Sequence, residues 1–415
     1  MKRGGGFDIV RSVIPVEEAQ EIILHNIALS EEESVPLAEA LGRVLRQPIR
    51  ADMDLPPFDR AMMDGYAVRA EDTARAPVRL RVVGEVRAGM AFSGAVAAGE
   101  AVKIMTGAAV PAGANAVERI ERVACEGEWV ILREPVRVGE NITPRGSQAR
   151  EGEVVLEPGI RIGPAEMAVL ASFGYARVQV ARRLTFGVLS TGSELVEVSA
   201  RPSLAQIRDS NGPTLHACLE MAGVAAHALG IAPDDLPLIE ASLRSALERF
   251  DGVIVTGGVS MGEADVVKIA VRRIGARIFF ERVRIHPGKP LCFAMLGQKP
   301  IFALPGNPVS VVVTFLIFVL PALRRMLGCR DEHLPRIEAT VTEPVRHATD
   351  RRSYLPAFLW FADGQAFVRR VPWEGSSDLV GFARANALLI VPEGVASVTE
   401  GERVQVILLP WGAPS

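Results

Sequence analysis

Three short apolar runs in this chain each end on a glycine-centred loop, and that recurrence limits what the chain can fold into. Residues 184–189 lead into Ser190-Thr191-Gly192-Ser193-Glu194. Residues 252–255 lead into Thr256-Gly257-Gly258-Val259-Ser260, and residues 300–303 into Leu304-Pro305-Gly306-Asn307-Pro308. In an open parallel α/β sheet, ligands bind in the crevice beyond the carboxyl ends of the strands. Small residues there let backbone N–H groups approach an anion, and a following helix N-terminus adds a favourable dipole. Three such loops within residues 184–330 point to a shaped pocket for a phosphorylated ligand.

The rest of the chain frames that pocket. Its 415 residues exceed one ordinary core and suggest two to four domains. Hydrophobic content of 49% and charged content of 23% exclude wholesale disorder. A net charge of −3 supplies no basic face for nucleic acid. Cys125, Cys218, Cys292 and Cys329 form no CxxC pair, so neither a zinc site nor a disulfide framework is expected. Reduced thiols of a cytoplasmic protein are the simpler reading. The start of the chain has no apolar signal-like run. Residues 309–323 are nearly all apolar, yet fall short of the ~20 residues a bilayer needs. Pro321 interrupts them, and a buried helix, not a membrane span, is expected.

The texture changes along the chain. Residues 16–44 carry helical spacing, with Ala19, Ile22, Ile23 and Ile27, then Leu37, Leu41 and Leu45. Between 52 and 150 the pieces are short and β-rich: 78–83, 101–105, 116–123 and 129–132. A helical pattern returns at 164–173. Residues 184–330 then alternate strands (184–189, 225–231, 252–255, 277–283, 300–304) with helices (214–222, 236–250, 264–274, 308–327), which implies βαβ units and a mostly parallel sheet. Beyond Pro335 the pattern is β-like again, at 336–342, 358–361, 366–371, 387–391 and 403–409. No internal repeat is present.

The chemistry concentrates near the loops. Glu194, Asp234, Asp235 and Asp265 follow the carboxyl ends of predicted strands, so their carboxylates can converge. Carboxylates beside phosphate-cradling loops hold Mg²⁺ against phosphate oxygens. The competing reading is that Glu194 and Asp265 cap helix N-termini. Lys268 and Lys289 can each pair with a phosphate, or can be solvated surface groups. Pro305-Gly306-Asn307-Pro308 reads as a rigid anion-binding loop or as a tight strand-to-helix turn. No dinucleotide fingerprint, Walker loop or serine nucleophile elbow occurs, which disfavours dehydrogenase, P-loop NTPase and α/β-hydrolase.

An ordered set of motifs adds a resemblance. Asp64-Gly65-Tyr66-Ala67 follows Pro56-Pro57-Phe58-Asp59. Then come Ile104-Met105-Thr106-Gly107, Ser190-Thr191-Gly192, Asp209-Ser210-Asn211 and Gly257-Gly258-Val259-Ser260, and last Pro287-Gly288-Lys289-Pro290 and Leu304-Pro305-Gly306-Asn307-Pro308. In that order the chain resembles the molybdopterin molybdenumtransferases, bacterial molybdenum-insertion enzymes related to the E domain of gephyrin. The likeness runs from about residue 16 to the C-terminus.

The resemblance implies a cytoplasmic homodimer whose active site lies in a cleft shared with the partner subunit. It implies insertion of molybdate into adenylylated molybdopterin, with release of AMP and Mg²⁺ as cofactor. It also implies a fold of four parts: residues 1–51 with 151–181 as an elongated helical and β linker or dimerisation domain, and 52–150 as a β-rich domain. Residues 182–330 form the parallel-sheet α/β molybdopterin-binding domain, and 331–415 a C-terminal β-barrel-like domain. Carried over as catalytic are Asp64, Thr106, Glu194, Asp234, Asp265 and Lys289, with Glu194, Asp234 and Asp265 as metal ligands. Expected at the substrate are Thr191, Gly192, Ser193, Asn211, Gly257, Gly258, Ser260, Lys268, Pro305, Gly306, Asn307 and Pro308. Protein partners implied are a molybdopterin adenylyltransferase and recipient molybdoenzymes.

The chain departs from the pattern at Gln148, Ser193, His286 and Pro356. Two other functions compete: a non-catalytic pterin-binding scaffold, and the adenylyltransferase itself. The adenylyltransferase would need only the α/β segment, so the β-rich domain with Asp64 and Thr106 favours insertion.

Overall fold

A computed structural model describes residues 13–258, 265–347 and 350–412. Its centre is a six-stranded mixed sheet. The strands are β1 (Thr185–Thr191), β2 (Ala225–Ala232), β3 (Gly252–Thr256), β4 (Arg277–Arg282), β5 (Pro290–Leu296) and β6 (Lys299–Leu304), in the spatial order β2-β1-β3-β6-β5-β4. β2, β1, β3 and β6 run parallel, and β5 runs antiparallel to both its neighbours, β6 and β4. β1 and β3 are buried nearly throughout, as a strand covered on both faces by helices must be. The chain leaves β1 for β2 on one side and β3 on the other, so β1 marks the point where the strand order reverses. The covering helices are α1 (Asn211–Ala222), α2 (Leu236–Arg249), α3 (Val266–Arg273) and α4 (Pro308–Leu327).

Two expectations need correction here. β5 is a strand that the pattern did not supply, because Pro290 reads as a breaker. It joins β6 through Gly297-Gln298 as a hairpin, with Leu296 paired to Lys299. The N-terminal helix is Val16–Asn26 only. Glu32–Pro36 is instead a strand paired antiparallel with Arg177–Ala181. Pro36 disfavours helical backbone at the residue before it, and Leu41, which a helical stripe would bury, is 58% exposed.

α4 is long and apolar enough to cross a membrane, but 89% of its apolar window is buried inside the fold. It passes through a π-helical turn at Phe315–Val319, and Gln20 Nε2 donates to the Ile317 carbonyl at 2.9 Å. α4 is therefore a core helix, clasped by the N-terminal one.

The flanking parts are β-structures. Residues 65–132 form a six-stranded sheet in which only Val78–Val86 and Glu100–Ile104 run parallel. The expected strand 116–123 is interrupted there by a 3₁₀ turn at Ile120–Arg122. In the C-terminal part, Arg336–Val341, Arg352–Ala362, Gln365–Arg370, Ala387–Val391 and Arg403–Leu408 close on themselves through the pairing of Ser353 with Val391. Ile285–His286 adds in parallel to Arg352–Ser353, which ties this barrel to the central module.

Two charge clusters, the first half-buried and the second deeply buried, hold the central module. Asp251 accepts from Arg182 Nη2 at 2.6 Å and Nη1 at 3.2 Å, and from Thr185 N at 2.8 Å. Asp265 caps α3 by accepting from Lys268 N at 3.2 Å, and its Oδ2 lies 2.5 Å from Lys268 Nζ. Asp265 is 7% exposed and Lys268 5%.

Removing one member of a buried pair leaves a charge in a low-dielectric site. Asp265→Ala is expected to destabilise α3 by about 3–5 kcal/mol, and the double change Asp265→Leu/Lys268→Met to recover most of it. Hydrogen-exchange protection of the α3 amides is the measurement; unchanged protection in the single variant would refute the pairing.

Burial pushes the Asp251 carboxyl up, but the Arg182 guanidinium and the Thr185 N–H outweigh it and hold the group below its ordinary value. Such an acid stabilises the fold above its unfolded pKa of about 3.9, and this contribution fades as pH falls through the lower folded value. Asp251→Asn is expected to cost about 1–3 kcal/mol at neutral pH. Thermal unfolding should show the gap to the parent closing below about pH 4.

Candidate functional site

The carboxyl edges of β1, β3 and β6 open on a cavity of about 780 Å³. The loops meet there because glycine allows it. Gly257 has φ +89°, and a Cβ on it would lie 2.0 Å from the Thr191 carbonyl oxygen. Gly258 has φ +60°, and a Cβ there would lie 2.8 Å from Val267 Cγ2 at the start of α3. Any other residue would push the second loop off the first.

Side chains then lock the contact. Thr191 Oγ1 donates to the Thr256 carbonyl at 3.2 Å, and Thr256 Oγ1 donates to the Pro305 carbonyl at 2.9 Å. Asn211, at the start of α1, donates from Nδ2 to Thr256 Oγ1 at 3.0 Å and to the Gly306 carbonyl at 2.8 Å. Just before it, Asp209 accepts from Ser190 Oγ at 2.7 Å and from Gly212 N at 3.0 Å. The third loop is also held from outside. Asn307 Nδ2 donates to Ser376 Oγ at 2.7 Å, and Val309 N to the Ser376 carbonyl at 3.0 Å, so the barrel seats on the N-terminus of α4.

The expected residues divide into groups. Thr191, Gly192, Asn211, Gly257 and Gly258 line the cavity, as do Pro305, Gly306, Asn307 and Pro308. Lys289, Glu194 and Asp234 line it too. Both carboxylates lie against the loops: Glu194 Oε2 is 2.7 Å from the Cβ position of Gly192, and Asp234 Oδ1 3.8 Å from that of Gly258. Ser193 sits beside the cavity and accepts from Asp234 N at 3.2 Å, which places the acid. Ser260 lies outside the described residues.

Asp265 and Lys268 face each other, and neither is among the described residues that line the cavity. Burial pushes the Asp265 carboxyl up, against the lowering effect of Lys268. Among the described residues no three His, Cys, Asp or Glu side chains gather as a metal-binding group. Of the expected trio, Glu194 and Asp234 line the cavity, while Asp265 caps α3 against Lys268.

Asp64 and Thr106 also stand apart from this cavity. Asp64 Oδ1 accepts from Thr106 N and from Thr106 Oγ1, both at 2.7 Å. The Thr106 N–H and then its hydroxyl hold the carboxyl below its ordinary value. The pair is exposed, among the exposed apolar side chains of Phe58, Met62 and Met63.

Sequence reasoning missed part of the opposite wall. Arg351 and Ser376-Ser377 reach the cavity from loops of the barrel, and Arg208 lies near the edge of the first loop. Only the dense charge of Asp350-Arg351-Arg352 and the turn-forming Gly375-Ser376-Ser377-Asp378 marked them in the sequence. His286 lines the same wall, edge-on to Trp373 with ring centroids 5.9 Å apart. Burial, then the charge of Arg351, lowers the His286 pKa, so the ring is neutral at pH 7. The cavity is therefore lined by both signs of charge, with Glu194 and Asp234 against the loops and the cations Arg208, Lys289 and Arg351 around them.

Known proteins resemble the whole chain. Residues 14–174 match the MoeA N-terminal region (domain I and II), residues 187–325 a probable molybdopterin binding domain, and residues 338–409 the MoeA C-terminal region (domain IV). The molybdopterin molybdenumtransferase of Bacillus subtilis (strain 168) is 35% identical over 421 residues, spanning 98% of each chain. That of Staphylococcus aureus (strain COL) is 33% identical over 402 residues, spanning 96% of each. The crystal structure of the molybdopterin biosynthesis MoeA protein from Pyrococcus horikoshii OT3 superposes with a TM-score of 0.83 at 32% identity, over 96% of this chain and all of that one. Matched from end to end, with the three family regions in order, the chain belongs to the molybdopterin molybdenumtransferase (MoeA) family.

Proposed function

We propose that this protein completes the molybdenum cofactor by inserting molybdate into the dithiolene of adenylylated molybdopterin and releasing AMP. One observation carries the reading. Three glycine loops, locked by Thr191, Thr256 and Asn211, converge on a cavity lined by the exposed carboxylates of Glu194 and Asp234 and by the cations Arg208, Lys289 and Arg351. That arrangement suits a pyrophosphate-bearing substrate beside a second oxyanion.

Each wall has its own work. Backbone N–H groups of the loops and the N-termini of α1 and α4 hold the phosphates. Lys289 and Arg351, with the Ser376 and Ser377 hydroxyls, bind the molybdate oxyanion as charged and neutral donors. Glu194 and Asp234 would hold Mg²⁺. Two carboxylates packed against phosphate-binding loops fit an ion that takes one or two carboxylates and fills its remaining positions with phosphate oxygens and water. When bound, Mg²⁺ supplies positive charge to the phosphoanhydride oxygens. Ser193 keeps Asp234 in place through its backbone N–H.

The functional unit is a cytoplasmic homodimer, and Asp64 with Thr106 completes the cleft of the partner subunit. An exposed, preorganised acid and hydroxyl, set among exposed apolar side chains and apart from their own cavity, support that division. Four domains compose each subunit: residues 1–51 with 151–181 for dimerisation, 52–150 carrying Asp64, 182–330 carrying the loops, and 331–415 closing the cavity. An adenylyltransferase supplies the substrate, and apo-molybdoenzymes receive the product.

The test is AMP release from adenylylated molybdopterin with Mg²⁺, with and without molybdate. Release that depends on molybdate, with a product that activates an apo-molybdoenzyme, is the expected result. Glu194→Gln and Asp234→Asn should each lower turnover on the order of 10²-fold. Tight binding of the substrate without release would leave a pterin-binding scaffold instead.

Shared clefts make a second prediction. Asp64→Ala and Glu194→Gln proteins, each strongly impaired alone, should regain activity when mixed and allowed to exchange subunits. One cleft of the mixed dimer then carries both changes and the other carries neither. No recovery despite proven exchange would place both residues in one subunit's site.

A further inference from the structure

We infer that a short ladder beside the first loop, Leu195–Val196 paired with Ile207–Arg208, reads a flat ring of the substrate together with its phosphate. The Leu195–Ile207 pair lies against the ring, and the Arg208 guanidinium meets the phosphate next to it. The inference rests on the function proposed above and names the part of the chain that recognises an organic end of the substrate.

Main-chain hydrogen bonds tie the ladder into the site. Leu195 N donates to the Gly192 carbonyl at 3.2 Å, Ile207 N to the Glu194 carbonyl at 2.9 Å and Asp209 N to the Val196 carbonyl at 2.9 Å. Asp209 is held in turn by Ser190 Oγ and Gly212 N. The two strands run parallel, with Leu195 opposite Ile207 and Val196 opposite Arg208. Side chains opposite one another across a ladder share a face, so Leu195 and Ile207 make one apolar patch.

That patch differs from its surroundings. Among the described residues that line the cavity, Leu195, Ile207 and Leu379 bring the only leucine or isoleucine side chains; the others are glycine, proline and polar residues. Ile207 is 59% exposed. Phosphate and molybdate gain nothing from an aliphatic wall, whereas a ring laid on it removes apolar surface from water on both sides of the contact. An adenylylated pterin carries two flat rings, adenine and pterin, and either meets that requirement.

Arg208 adds charge at the end of the patch. Its Nε donates to the Ala200 carbonyl at 2.9 Å, and both terminal nitrogens are left without a protein partner among the described residues. No described carboxylate pairs with it, whereas Arg351 has Asp350 at 3.0 Å. A guanidinium anchored through Nε and free at its two outer nitrogens presents a bidentate donor to phosphate oxygens. Consecutive residues, 207 and 208, thus meet the ring and the phosphate.

Calorimetric titration of the full chain with inorganic pyrophosphate, ribose 5-phosphate, AMP and 6-hydroxymethylpterin monophosphate separates the two parts. Ile207→Ser should weaken either AMP or the pterin monophosphate about ten-fold, identifying the ring, and leave pyrophosphate and ribose 5-phosphate as in the parent. Retained pyrophosphate binding also shows that the variant is folded. Arg208→Gln should weaken all four ligands about ten-fold, with Arg208→Lys lying between it and the parent. Unchanged affinity for both ring-bearing ligands in Ile207→Ser would overturn the apolar part. A change of oligomeric state by light scattering, without such a loss, would do the same and make Ile207 an interface residue. Unchanged pyrophosphate affinity in Arg208→Gln would overturn the charged part.

The parent protein gives a second reading, independent of whether the variants fold. It should bind one of the two ring-bearing ligands about ten-fold more tightly than ribose 5-phosphate. Equal affinity for all three would overturn the apolar part. If the parent binds pyrophosphate but neither ring-bearing ligand, the functional reading itself fails.

Discussion

The carbonyl oxygen of Thr191 occupies the place where a side chain on residue 257 would begin. That close approach, 2.0 Å from a hypothetical Cβ, is the constraint on which the rest of the site depends. It brings the end of β3 onto the end of β1, so that Thr256 reaches both Thr191 and the Pro305 carbonyl. Asn211 then closes the set from the start of α1. Each hydrogen bond is modest alone, but each also satisfies a group that burial would otherwise strand. The described ends of the three loops are consequently fastened to one another by hydrogen bonds between buried groups.

Charge is divided as carefully as shape. The acids that line the cavity, Glu194 and Asp234, are exposed and keep their solvation. Asp265 is deeply buried and tolerable only because Lys268 lies against it. Desolvation and pairing thus set residues of one chemical type apart: two line the cavity, and one anchors the helix on which Gly258 leans.

The loops were legible in the sequence because glycine and proline at strand ends have few other uses, and Gly257, Gly258 and Pro305 to Pro308 converge as their pattern suggested. β1, β3 and β6 were legible as apolar runs. β5 was not, since Pro290 opens it and its partner strand is antiparallel. The N-terminal periodicity misled because Leu37 and Leu41 repeat at helical spacing across Pro36, where the backbone turns to pair with Arg177–Ala181 instead. Asp265 looked like Glu194 in the sequence, and only burial separates them. Arg351 and Ser376 were illegible for a simpler reason: nothing local shows that a barrel loop will reach a helix N-terminus nearly seventy residues away, at Asn307.

That contact carries an argument about how the site is assembled. The α/β module brings amides, the acids Glu194 and Asp234, and the cations Arg208 and Lys289 to the cavity. Arg351 adds a third cation from the barrel, and the parallel pairing of Ile285–His286 with Arg352–Ser353 ties its segment to the one before Lys289. The same short ladder that ties barrel to module therefore sets both Lys289 and Arg351 at the edge of the cavity. Two anionic substrates held side by side repel, and a wall of fixed positive charge between strand and barrel offsets that repulsion where the loops alone do not. The barrel is in this sense part of the cavity wall, and its attachment to the module is what sets Arg351 and Ser376 there.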